Sequence, residues 1–148
     1  MPQPQNSPYL AFHGNAGEAL AHWHDLFGGT LEVTRYDELP SLSDFPFTPP
    51  PGAVAHATLT GGLLTVSGGD AIAGPGEELP PLGSEVYSFL VGLDEVEAAR
   101  SLLERIVGAG GKVAMPFELA PWGDHYGEVR DRFGVKFALV VAGGAVQH

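Results

Sequence analysis

A strand, a capped helix and a glycine stop follow one another at two places in this chain, and that repetition limits the folds open to it. The second copy is the clearer: SEVYSFLVGLDEVEAARSLLERIVGAGG, residues 84–111. Residues 86–93 are a mostly apolar run rich in β-formers, the pattern of a strand covered on both faces. Asp94 follows, with Glu97 three residues on, which is capping-box spacing with Asp in place of Ser or Thr. Val96, Ala99, Leu103 and Ile106 then recur on one helical face. Gly108, Gly110 and Gly111 end the helix, because glycine tolerates the left-handed backbone that a helix end needs.

Residues 7–13, SPYLAFH, open the other copy. Asn15 is the expected cap, Glu18 stands three on, and Ala16, Leu20, Trp23 and Phe27 form the helix face before Gly28 and Gly29. A repeat of this length is a whole supersecondary unit, so two copies of one module are predicted.

The remaining segments complete each copy. Residues 30–36 read as a strand, and residues 37–52, with five prolines, as a loop suited to a flap. Residues 54–60 (VAHATLT) form a strand that turns at Gly61-Gly62 into residues 63–67. Residues 68–83 (GGDAIAGPGEELPPLG) read as a linker. In the second copy, residues 112–120 form a strand interrupted by Pro116, hence an edge or a bulge. Residues 121–125 turn into a strand over 126–130, and the turn Asp131-Arg132-Phe133-Gly134 leads to a last strand over 135–141. The expected fold is therefore α+β. Two βαβββ modules, residues 7–67 and 84–142, share one domain across the linker.

Composition narrows the function. The formal charge of −11, with only 7 Lys and Arg, repels phosphate backbones, so no nucleic-acid partner is expected. No apolar run is long enough to cross a membrane, and the opening MPQPQNSP lacks the basic and apolar regions of a secretory signal. Zero cysteines remove disulfide and thiolate chemistry and suit a cytoplasmic protein. The turn Gly92-Leu93-Asp94 is a helix cap and has none of the glycine pattern of a nucleotide-cofactor loop, so no cofactor is expected.

Two βαβββ modules in this order resemble the vicinal oxygen chelate superfamily of glyoxalases, dioxygenases and bleomycin resistance proteins. The stretches SPYLAFHGNAGEALAHWHDLFGG, VAHATLTGGLLTVSGGD and APWGDHYGEVRDRFGVKFALV resemble its PhnB-like branch. The resemblance implies glyoxalase-like, cupped mixed sheets with helices on their outer faces, a small-molecule ligand and a homodimer. In metal-using members four strands each offer one His, Gln or Glu to a divalent ion, which bridges two substrate oxygens. Carried onto this chain, those positions fall at Pro8, Thr65, Ser88 and Ala138. Proline and alanine carry no donor, and Ser and Thr are poor ones, so no metal is expected there.

Other polar residues remain as site candidates. Alternation along VAHATLT puts Ala55, Ala57 and Leu59 on the helix side and His56, Thr58 and Thr60 in the cup. A histidine's ordinary pKa lies near neutrality, so this residue type at His56 suits a general base or a ligand contact; the alternative is a hydrogen-bonded histidine of the cup or of an interface. Glu118 lies opposite an expected face of Val113, Met115, Phe117 and Leu119, which makes it a candidate acid–base partner or a solvated edge charge. Trp122 is a pocket wall or a core plug. Phe12, Ser88, His125 and Tyr126 complete the expected ligand contacts. Arg130 is expected to pair with Glu128 or Glu118, and Lys136 shares the parity of Ala138. His22 and His24 lie about 200° apart on a helix and do not chelate one ion. Three readings follow: a small-ligand binder without the inherited metal, a metal-independent or displaced-metal enzyme of the lyase or isomerase type, and a resistance-type protein sequestering a cationic drug.

Overall fold

The computed structural model describes residues 6–39, 49–71 and 77–143. Residues 40–48 of the expected flap and 72–76 of the expected linker lie outside the described residues. The chain divides into two compact units, Met1–Pro80 and Pro81–His148.

In the first unit, β1 (Tyr9–Phe12) leads into α1 (Ala16–Phe27), followed by β2 (Thr30–Arg35), a short 3-10 turn at Tyr36–Glu38, β3 (Val54–Thr60) and β4 (Val66–Asp70). The sheet order is β1-β4-β3-β2, with β1 and β4 parallel and the other pairs antiparallel. α1 packs across β2, β3 and β4. It buries Ala16, Ala19, Leu20, Trp23, Leu26 and Phe27 on that side. Fully burying side chains as large as Leu20, Leu26 and Phe27 is worth about 1.5–3 kcal/mol each, which is what holds a lone helix to a sheet.

The second unit repeats the order with β5 (Phe89–Leu93), α2 (Val96–Gly108), β6 (Lys112–Leu119), β7 (His125–Arg130) and β8 (Lys136–Val141). Its sheet runs β5-β8-β7-β6, again with one parallel pair, β5 and β8. α2 buries Ala99, Leu102 and Ile106. The fold is the expected α+β arrangement of two four-stranded mixed sheets, each with one helix on one face.

Several local expectations are corrected. Leu102, not Leu103, lies on the buried face of α2. The helix starts one residue later than Asp94 implied: its cap position is Glu95, in extended conformation and without a side-chain bond. Asn15 does stand at the cap of α1, but its side chain makes no cap bond either and accepts from the His13 N–H instead. β5 is also shorter than the apolar run, with Val86 and Tyr87 exposed ahead of it.

The largest misreading concerns Gly68-Gly69-Asp70, which belongs to β4 and not to a linker. The glycines are there for close packing. A Cβ on Gly68 would lie 2.7 Å from the Leu10 carbonyl oxygen and 2.8 Å from the Phe12 ring, and one on Gly69 2.6 Å from the Ala55 oxygen. Asp70, 5% exposed, accepts from the Ala16 N–H at 2.9 Å with one oxygen and from the Val54 N–H at 2.8 Å with the other. The orphan donor at the start of α1 is thus satisfied by a strand residue distant in sequence.

Candidate functional site

Each sheet has one face under its helix and one open face, and strand parity decides what the open face carries. In the first unit Ala57 and Leu59 are buried on the helix side, so His56, Thr58 and Thr60 turn to the open face. The β2–β3 register slips at Thr34/Arg35, which leaves Ala55 as an extra residue of β3 and not part of the regular apolar face. His56 is exposed, and its ring stacks on Tyr9 with centroids 5.8 Å apart and planes 22° apart. Thr58 sits between Glu32 and Ser67 in the register. Burial raises the Tyr9 hydroxyl above its ordinary pKa, and Tyr36 adds to the shift. Phe12 has the opposite parity from Tyr9. It is fully buried, 5.8 Å from the Trp23 ring, and offers no ligand surface.

The second unit departs from simple alternation at β6. This is an edge strand, and its register with β7 shifts twice, between Val113 and Met115 and between Met115 and Glu118. Pro116 has no N–H to give the ladder, so a slip beside it follows from its chemistry. The consequence is that Met115 pairs with Glu128 and Glu118 with Tyr126. Tyr126 and Glu128 are two apart on β7 and share a face, so Met115 joins Glu118 there. It had been expected on the opposite face. Phe117 turns the other way, buried against Gly127, with the Arg100 guanidinium 5.3 Å from its ring centroid.

Met115, Glu118, Leu119, Trp122 and Tyr126 therefore line one cavity of about 180 Å³, closed by Pro116, Ala120 and Pro121. The Trp122 ring is 61% exposed and stands edge-on to Tyr126, with centroids 6.2 Å apart and planes at 65°. The Tyr126 hydroxyl donates to Glu128 Oε2 at 2.9 Å. Burial first, then the bond to Glu128 and its charge, push the Tyr126 pKa up and keep the hydroxyl protonated.

The cations beside Glu128 are paired. Lys136 Nζ lies 3.6 Å from both Glu128 and Glu85, and the Arg130 guanidinium bonds Glu85. Glu85 is thus the partner of Arg130 where Glu128 or Glu118 had been expected. Glu118 has no ion-pair or hydrogen-bond partner among the described residues. His125 leaves the Tyr126 face and turns to Phe117, 5.8 Å between centroids. Ser88 is exposed just ahead of β5 and is not among the residues lining the cavity.

A second cavity, of about 340 Å³, belongs to the first unit and is lined by His13, Asp70, Leu79 and the segment Pro50–Ala53 among others. Its polar groups are already engaged. Both Asp70 oxygens accept backbone N–H groups, and the His13 ring bonds the Pro80 carbonyl.

The four positions carried over for a divalent ion do not fit one. Pro8, Thr65 and Ser88 stand just outside β1, β4 and β5, and Ala138, 2% exposed, is packed within β8. Among the described residues no three His, Asp or Glu side chains are grouped to hold a metal ion. No helix among them is long and apolar enough to cross a membrane.

With two βαβββ units and this open-face geometry established, the chain belongs to the glyoxalase/bleomycin resistance protein/dioxygenase superfamily, whose family model matches residues 7–139. Protein YjdN of Escherichia coli (strain K12) is 30% identical over 150 residues, covering 91% of this chain and 93% of that protein. Protein PA1353 from Pseudomonas aeruginosa superposes with a TM-score of 0.71 at 29% identity, covering 95% of this chain and 99% of that one. A PhnB protein from Bacillus cereus shares the fold at a TM-score of 0.68 and 24% identity, covering 94% and 100%.

Proposed function

We propose that this protein binds a small organic molecule on the open face of its second sheet, in the cavity bounded by Met115, Glu118, Leu119, Trp122 and Tyr126. One observation carries the reading: the slip at Pro116 brings an apolar side chain, an unpaired carboxylate and two aromatic rings around one hollow. A few convergent polar groups within apolar walls are what a ligand site needs. The larger cavity of the first unit has spent its polar groups on the fold. A volume near 180 Å³ falls below the roughly 300–1,000 Å³ of drug-sized sites, which favours a small ligand over a sequestered drug.

The acid–base pairing of His56 with Glu118 stays outside this proposal. The two belong to different units, and no carboxylate bonds the His56 ring among the described residues of its own unit. The proposed form is a homodimer, supported by Val86, Tyr87 and Leu90, which are exposed at the β5 edge of the second sheet. Light scattering checks it: a monomer mass at micromolar concentration removes the dimer.

The ligand reading is tested by screening small fragments against labelled protein and mapping amide shifts. The expected shifts fall on Met115, Trp122 and Tyr126. Hits that move only residues around His56 or Asp70 would overturn it.

A further inference from the structure

We propose that the ligand of this cavity carries an organic ammonium group, held between the Trp122 and Tyr126 rings and facing the Glu118 carboxylate. The inference rests on the reading of the cavity as a ligand site and names the chemistry it selects. Two aromatic rings near right angles, 65° here, present two π-faces to one guest. Such faces attract a cation through the ring quadrupole, with Trp the strongest. Met115 adds a soft, polarisable wall that moulds to methyl groups.

Charge decides between cation, anion and neutral guest. The carboxylates and cations elsewhere on this face cancel in pairs, with Arg130 and Lys136 tied to Glu85 and Glu128. Arg100 lies over Phe117, and Lys112 stands at the far end of β6, opposite Arg130 in the strand register. Glu118 alone lines the cavity with an uncompensated charge, in a chain whose formal net charge is −11. No Lys or Arg lines the cavity, so an anion would meet only repulsion. A neutral guest would use the rings and Met115 but leave Glu118 unanswered. The Tyr126 hydroxyl is engaged by Glu128, which leaves its ring face and not its hydroxyl for the guest.

The test compares choline with 3,3-dimethylbutan-1-ol, which has the same shape without the charge. Binding is followed at the indole N–H of Trp122, separate from that of the buried Trp23. Choline is expected to bind at least about tenfold more tightly than the alcohol. Glu118→Gln should weaken choline about tenfold and leave the alcohol unchanged, while Trp122→Ala should weaken both. Glu118 and Trp122 are exposed, so both variants should fold. Equal binding of the two probes, or a Glu118→Gln variant that binds choline as well as the parent, overturns the ammonium proposal and leaves the cavity reading standing. If neither probe moves Trp122 while other fragments do, the ammonium proposal again fails alone. If nothing moves Trp122, both fail.

Discussion

Asp70 in the first unit and Asp131 in the second are the two charged side chains buried among the described residues, each 5% exposed. They differ in reach. Asp70 closes the end of β4 and accepts from Ala16 and Val54, residues 54 and 16 positions away. Asp131 accepts from Phe133 and Val135, two and four positions on, and these two bonds shape the turn between β7 and β8. The first unit thus fastens its helix to its sheet with a buried carboxylate. The second holds α2 by apolar packing of Ala99, Leu102 and Ile106 and by Arg100, which reaches the Phe117 carbonyl and ring on β6; no side chain bonds its N-cap. Two modules of one topology solve the same docking problem differently.

The sharpest way to break this comparison is to remove both acids in turn. Asp70→Ala orphans two buried N–H groups that tie separate elements, and should cost about 4 kcal/mol in chemical denaturation. Asp131→Ala loses bonds that close one local turn and should cost about 2 kcal/mol. Hydrogen exchange should speed up at Ala16 and Val54 in the first variant, and at Phe133 and Val135 in the second. Equal costs would mean that reach in sequence has no bearing on what a buried carboxylate contributes.

A second contrast lies in the glycines under aromatic residues. A Cβ on Gly127 would fall 2.6 Å from the Phe117 Cα and 2.9 Å from its nitrogen, all backbone. A Cβ on Gly68 would meet the Phe12 ring at 2.8 Å and one carbonyl at 2.7 Å. Rings turn more cheaply than strands move. Gly127→Ala should therefore cost about 3 kcal/mol and Gly68→Ala about 2 kcal/mol, read by thermal or chemical unfolding. Gly127→Ala should also shift Met115 and Glu118, because Phe117 lies between them on β6, and so weaken ligand binding. Gly68→Ala should leave the second-unit cavity as it is.

The order of elements was legible because its signals are local. Helical spacing, glycine stops and β-rich runs depend on neighbours in sequence. The failures come from contacts at a distance. Gly68-Gly69-Asp70 has the composition of a linker, yet the glycines yield to Leu10, Phe12 and Ala55, and the acid caps a helix. Parity fixed that Phe12 and Tyr9 face opposite ways, but the sequence did not say which of them faces α1, so Phe12 was expected at the ligand and Tyr9 was passed over. Glu118, Trp122 and Tyr126 were visible as candidates. Met115 was missed, although Pro116 signalled a bulge, because a bulge reverses parity only when its register is known.

The smallest expected effect separates the two raised tyrosines. Burial is the first cause at both Tyr9 and Tyr126. Tyr9 adds only the neighbouring Tyr36, whereas Tyr126 donates to Glu128 and feels its charge. Both should titrate above the ordinary value of about 10. Glu128→Gln should bring Tyr126 part of the way down, leaving the burial contribution, and leave Tyr9 unmoved. Tyr36→Phe should lower Tyr9 slightly and leave Tyr126 unmoved. The sign on stability follows from the raised values. Below about pH 10 each tyrosine is neutral folded and unfolded, and the pH costs nothing. As the pH climbs from there, the unfolded chain ionises first, so folding is penalised until the raised folded pKa is passed. Ultraviolet titration and unfolding at alkaline pH should therefore show stability falling above about pH 10, less steeply in Tyr126→Phe. An unchanged slope in that variant would mean that the bond to Glu128 does not hold the Tyr126 proton.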